Sequence, residues 1–174
     1  MAVAAAGAVA LLAVPMLLGS RSRSMEPLPP PAGSTCKAES AAKLAFTVKD
    51  MNGASVTLAD YKDKVILMNF WGTWCGPCRL EIPGFIELQA AYRDKGFVIL
   101  GVAVEDTPEA VRAYAAEVRI NYPLVMNQED LEEAYGPIFG LPMSYVIARD
   151  GSICTKHFGP ITKDDAEKEI KALL

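Results

Sequence analysis

Two cysteines separated by two residues, Cys75 and Cys78, stand between a run of strand formers, Val65 to Trp71, and a stretch that reads as a helix. A cysteine at the start of a helix faces unpaired backbone N–H groups and the positive end of the macrodipole, and both favour thiolate over thiol. Such a placement can bring a cysteine pKa from about 8.5 into the range of roughly 3.5 to 7.5. The thiolate is the attacking species in thiol–disulfide exchange, so Cys75 is the candidate nucleophile. Cys78, one turn on, is the candidate resolving thiol that closes a disulfide with it. Pro77 has no N–H to lose at a helix start and presets φ there.

The elements that must hold this pair follow from the pattern on either side. Val65–Trp71 is nearly continuous apolar sequence, as a central strand buried on both faces requires, and Phe97–Val104 is a second such run. Between them the pattern predicts a helix over 75–95, with Pro83 bending it. Leu44, Phe46 and Val48 alternate with smaller or polar residues, Met51-Asn52-Gly53 is a turn signal, and 55–58 returns, so an N-terminal β-hairpin is expected. Thr107-Pro108-Glu109 has the residue types of a helix start, and that helix should run to about Val118. A short strand over 122–126 and a short helix over 130–135 come next. Strands over 143–148 and 152–158 join at Asp150-Gly151, and Thr162 with Asp165 opens a last helix. The order predicts a three-layer α/β fold: a mixed sheet with helices on both faces, an N-terminal hairpin and a central helix–strand insertion over 107–126.

Chain length and composition bound what surrounds this domain. A chain of 174 residues with 51% hydrophobic and 22% charged residues is one domain with appendages. A net charge of −4, with no basic stripe, argues against nucleic acid. Four cysteines include only one C-x-x-C, and there is a single histidine, His157, so a closed four-ligand zinc site is not expected. His157 reads as a solvated or packed strand residue rather than a ligand. Residues 1–19 carry no charge and approach the ~20 residues that cross a bilayer. They read as a membrane signal anchor or a cleaved signal peptide, although Arg21 and Arg23 follow rather than precede them; with no acid over 1–24, an organellar transit peptide is the other reading. Residues 20–43, with Pro29-Pro30-Pro31, read as an extended spacer, and 44–174 as the folded domain.

The string Trp74-Cys75-Gly76-Pro77-Cys78 resembles the active site of the thioredoxin superfamily. With Asn69, Phe70, Trp71 and Gly72 before it and Arg79, Glu81 and Pro83 after it, the chain from about Phe46 to Leu174 resembles the TlpA/ResA-like branch, an AhpC/TSA-redoxin-like domain. The resemblance implies a thioredoxin-like fold and a membrane-tethered reductase of disulfides in extracytoplasmic proteins. It works through the Cys75–Cys78 disulfide, with no dissociable cofactor and no metal. Its implied partners are proteins with cysteine pairs, such as apocytochrome c or copper-site assembly proteins, and a membrane or periplasmic thiol donor that re-reduces it. The cell membrane, with the domain in the periplasm, is the implied location; secretion after cleavage is the alternative.

The resemblance also assigns roles. Trp74, Gly76, Pro77, Leu141 and Pro142 are implied to receive the partner chain. Pro142 falls where the superfamily carries a cis-proline facing the cysteines; the other reading is a trans proline opening an edge strand. Met143 follows it where threonine is commoner, which bears on substrate preference. Asn69 stands where thioredoxins place an aspartate, so it cannot titrate. Glu81, three residues past Cys78, stands where this branch has a glutamate proposed to handle protons for Cys78; a solvated glutamate paired with Arg79 is the bland alternative. Cys36 and Cys154 are expected to pair in an oxidising compartment, or to be inert packing residues in a reducing one. Two other classes share the fold. A thiol peroxidase needs a Pro-x-x-x-Thr-x-x-Cys context, which the chain lacks. Copper(I)-binding assembly proteins usually space the cysteines by three and add a downstream histidine.

Overall fold

The computed structural model describes Met1 and residues 36–174; the expected anchor over 1–19 and most of the spacer over 20–43 lie outside them. Strands β1 (Ser40–Ala41), β2 (Thr47–Lys49) and β3 (Ser55–Thr57) precede β4 (Val65–Trp71) and α1 (Gly76–Tyr92). Then come β5 (Phe97–Ala103), α2 (Pro108–Val118), β6 (Leu124–Met126) and α3 (Glu129–Tyr135). The chain ends with β7 (Met143–Ile147), β8 (Ser152–Phe158) and α4 (Lys163–Leu173). Six strands form one mixed sheet in the order β1-β8-β7-β4-β5-β6, and β2 and β3 pair separately as a hairpin. β4, β5 and β6 run parallel, while β7 is antiparallel to β4 and β8 to β7.

Every residue of β4 and of β5 is buried, because both faces of the sheet are covered. Strand alternation sorts their side chains. Val65, Leu67 and Trp71 face α1, α2 and α4 through Ile82, Phe85, Val111, Tyr114 and Ile170. Ile66, Met68 and Phe70 face the hairpin and α3 through Val48, Leu58, Leu131 and Tyr135. The same alternation puts Asn69, the one polar residue of β4, on the α1 side.

The sheet reaches further toward the N-terminus than sequence periodicity indicates. β1 lies inside the stretch read as spacer and pairs Ser40 with Ile153 and Ala41 with Ser152. Two exposed residues carry no period; pairing to the otherwise open edge of β8 makes them a strand. β6 begins after Pro123, later than expected at Tyr122, since proline has no N–H for a ladder, although its carbonyl accepts from Gly101. α1 stays helical through Pro83, which withdraws the helical donor of the Arg79 carbonyl. It ends at Tyr92, and a 3-10 turn over Arg93–Lys95 closes on Gly96 at φ 87°.

Candidate active site

β4 delivers the chain to the end of the sheet where α1 starts. Cys75 is the N-cap of α1, in extended conformation, and its Sγ accepts the Cys78 N–H at 3.2 Å. The sulfur therefore occupies the place of a capping oxygen, and the first turn of α1 contains no acidic residue to oppose negative charge there. Cys75 and Cys78 are joined as a disulfide with Cα atoms 5.3 Å apart. Cys75 is 5% exposed and Cys78 fully buried, so the sulfur that borders solvent is that of Cys75, the candidate nucleophile. Gly76 and Pro77 are exposed beside it.

The turn before Cys75 is fastened to the loop between β5 and α2. Thr73 donates its N–H to Asp106 Oδ2 at 2.6 Å and its hydroxyl to Oδ1 at 3.1 Å. The Trp74 indole donates to the Glu105 carbonyl at 3.1 Å, and Glu105 takes a left-handed φ of 48° there. The indole lies across Gly72, where a Cβ would sit 2.8 Å from Trp74 Nε1. Trp74 is thus held in place while 58% exposed, out toward solvent rather than packed in the core like Phe70, Trp71 and Phe85.

β7 brings the second segment. Phe70 pairs with Met143 and Asn69 with Ser144, so Pro142 stands level with Trp71 at the end of β4 that leads to the cysteines. The Leu141–Pro142 peptide is cis. Pro142 is buried and its carbonyl accepts from Gly159; Leu141 is half-buried.

Glu81 is 6% exposed, which places it inside rather than on a solvated first turn. Its Oε1 accepts from Asn69 Nδ2 at 2.8 Å, and its Oε2 accepts from the Ile161 N–H, at the approach to α4, at 3.2 Å. The Asn69 amide also donates to Ser144 Oγ at 3.0 Å, so β4, β7, α1 and the approach to α4 meet on one carboxyl. Burial pushes the Glu81 pKa up to about 7; the Ile161 N–H and the Asn69 amide pull it back only in part. Two neutral donors hold this group, so it can take and release a proton near neutrality. A cleft of about 220 Å³ lined by Leu80, Glu81, Pro160, Ile161 and Thr162 runs from solvent to it.

Ser144, Ile161, Glu105 and Asp106 are absent from the residues singled out in the sequence. Ser144 was legible only through the β4–β7 register, and Ile161 contributes a backbone N–H, which has no sequence signature. Cys36 and Cys154 lie apart from this site, joined as a disulfide with Cα atoms 5.4 Å apart on the outer part of β8. His157 pairs with Glu169 at 3.0 Å, as a packed strand residue does.

A disulfide whose outer sulfur caps a helix and whose inner sulfur is buried one turn from a titratable carboxyl can be opened and reclosed by other thiols. With the mixed sheet behind it, this defines a thioredoxin-like thiol–disulfide oxidoreductase. Residues 40–156 match the AhpC/TSA family, and the chain belongs to it. It is 33% identical over 129 residues to the thiol-disulfide oxidoreductase ResA of Bacillus thuringiensis subsp. konkukian (strain 97-27), covering 74% of each chain. It is 32% identical over 127 residues to the thioredoxin-like protein YneN of Bacillus subtilis (strain 168), covering 72% of this chain and 74% of that one. The crystal structure of a thioredoxin-family thiol:disulfide interchange protein from Chlorobium tepidum TLS superposes with a TM-score of 0.72 at 32% identity, over 77% of this chain and 95% of the other.

Proposed function

We propose that this oxidoreductase works as a reductant of extracytoplasmic proteins, tethered to the cell membrane through residues 1–19, with a spacer that ends before Cys36 and the thioredoxin-like domain following. The Cys75 thiolate attacks one sulfur of a partner disulfide; the other partner sulfur leaves as a thiolate and takes a proton. Glu81 removes the Cys78 proton, and the Cys78 thiolate attacks the mixed disulfide at Cys75. The Cys75–Cys78 bond forms, the partner departs with both sulfurs reduced, and two electrons have moved from this protein to it. A membrane or periplasmic thiol donor returns the pair to the dithiol. Gly76, Pro77, Trp74, Leu141 and Pro142 border the point of attack. The substrate class is proteins with their own cysteine pair, as in cytochrome c or copper-site maturation.

The observation that carries the reading is the burial of Cys78 and Glu81 together behind an N-capping Cys75. An oxidising compartment is supported by the Cys36–Cys154 disulfide, a bond rare in a reducing cytosol. Among the described residues no helix is long and apolar enough to cross a membrane, so the tether rests on the composition of residues 1–19. The test is trapping in membranes with Cys78→Ser, beside a disulfide-reduction assay of the intact pair. Recovery of mixed disulfides through Cys75 with envelope proteins is expected. An intact pair that reduces no protein disulfide contradicts the proposal.

A further inference from the structure

Among the described residues, the amide, carboxyl and aliphatic hydroxyl side chains that lie buried are those of Asn69, Glu81, Gln89 and Ser144. Gln89 stands apart, accepting the Ile99 N–H at 2.7 Å. The other three meet on one face of the sheet. Asn69 and Ser144 are direct cross-strand partners in β4 and β7, so their side chains share a face, and α1 brings Glu81 onto it. The Asn69 nitrogen carries two hydrogens and spends both, one on Glu81 Oε1 at 2.8 Å and one on Ser144 Oγ at 3.0 Å. Ser144 is fully buried and Asn69 nearly so, which shields both bonds from bulk water.

A side-chain amide is nearly symmetrical in shape, and turning it over exchanges nitrogen for oxygen in the same space. The end that faces Glu81 selects the form of the carboxyl. The N–H donates to a carboxylate, whereas the oxygen accepts only from the protonated acid. Glu81 cannot fix the orientation, because it accepts in one form and donates in the other. The Ile161 N–H is on Oε2, away from the amide. Among the described residues no cation pairs with the carboxyl: Arg79 lies over the Tyr114 ring at 4.9 Å, Lys163 pairs with Glu87, and His157, opposite Ser144 in β8, turns to Glu169 at 3.0 Å. The Tyr122 hydroxyl is pushed up by burial and further by the charges of Glu81 and Tyr114, so it stays neutral. We infer that Ser144 is a positioning residue: by accepting the second amide hydrogen it keeps the Asn69 nitrogen turned toward Glu81, and so keeps that carboxyl able to ionise one turn from Cys78. The inference rests on Glu81 as the base for Cys78. Without the hydroxyl, the present orientation leaves one amide hydrogen buried and unpaired. The inverted amide needs only the bond that protonated Glu81 gives its oxygen. An orphaned buried N–H costs more than an oxygen with a lone pair unused, so loss of the hydroxyl favours the inverted amide and the protonated acid.

The test compares Ser144→Ala, Ser144→Thr and Ser144→Cys in the full chain. Carboxyl-carbon NMR of the oxidised protein reads the Glu81 titration directly, with the signal assigned by its loss in Glu81→Gln. Stopped-flow Trp fluorescence of the reduced protein with excess oxidised glutathione reads closure of the Cys75–Cys78 bond across pH 5 to 9. In Ser144→Ala the inflection near pH 7 should move up by about one pH unit in both readouts. Closure should then be about fivefold slower at pH 7 and converge on the unsubstituted rate at pH 9. Ser144→Thr keeps the hydroxyl and should restore the profile. Ser144→Cys fills the same space with a weak acceptor and should shift it the same way by less, which keeps the test open if the alanine variant does not fold. An inflection that stays or falls in Ser144→Ala, or in Ser144→Cys where only that variant folds, overturns the role of Ser144 and leaves Glu81 as the base. So does an equal shift in the alanine and threonine variants, which assigns the effect to packing. A closure profile in the unsubstituted protein that Glu81→Gln does not alter overturns both.

Discussion

The two disulfides have nearly the same Cα separation, 5.3 Å for Cys75–Cys78 and 5.4 Å for Cys36–Cys154, and their surroundings give them opposite work. Cys75–Cys78 closes a loop of sequence separation 3, on the first turn of a helix whose backbone N–H groups receive a sulfur anion. Opening it frees little chain entropy and creates a thiolate with a place prepared for it. Cys36–Cys154 spans a separation of 118, ties the segment before β1 to β8 and, among the described residues, has no helix N-terminus at either sulfur. Opening it releases a long loop, which on the chain-entropy model costs about 4–5 kcal/mol of stability. In the proposed mechanism, local backbone and a neighbouring carboxyl decide which bond cycles; the bond itself does not.

The sharpest way to break this contrast is Cys75→Ser. It should lower protein-disulfide reduction by about 10³-fold or more, since no other thiolate is placed to attack. Residual turnover near the level of the unsubstituted protein would mean that the other pair is active. Replacing Cys36 and Cys154 together by Ser should do the reverse: a loss of about 2–5 kcal/mol in chemical denaturation, with turnover within about twofold because the sites are far apart. A collapse of turnover in a protein that stays folded would join the two disulfides functionally.

Glu81→Gln tests the buried carboxyl beside the first disulfide. The rate of closure of the Cys75–Cys78 bond should fall by between about a hundredfold and ten-thousandfold near neutral pH, and the inflection near pH 7 should vanish from its profile. A profile identical to that of the unsubstituted protein removes Glu81 from the mechanism. The same group leaves a smaller mark on stability. Its pKa in the folded, oxidised protein is raised from 4.5 to about 7, so the folded state binds more protons than the unfolded state between those values. Stability should be greatest below pH 4.5 as far as Glu81 is concerned, and decline as pH rises through 7, by about 3 kcal/mol at most. Urea midpoints across pH 5 to 8 check this, and the slope should flatten in Glu81→Gln.

The contrast between the disulfides also marks how far residues alone inform. β4 has the bounds its apolar run indicates, β8 those expected after the Asp150-Gly151 turn, and Thr107 caps α2 by accepting the Ala110 N–H at 3.2 Å. The Cys75 turn was legible because helix capping is local. Asn69 and Glu81 could be named, but their meeting is not local: it needs α1 packed over β4, and an N–H from Ile161, 80 residues further along. The docking of Thr73 and Trp74 on Asp106 and Glu105 depends on where β5 ends in space. β1 exists only because β8 offers an edge, which no pattern within two residues can announce.

The most direct test of the account is a redox titration of the folded, full chain in glutathione buffers, with each cysteine's state read by thiol trapping and mass spectrometry. Cys75 and Cys78 should open and close together at a midpoint between about −270 and −120 mV, while Cys36 and Cys154 stay joined throughout. Opening of both disulfides in one transition, or a Cys75–Cys78 bond that yields only when the protein unfolds, would contradict it.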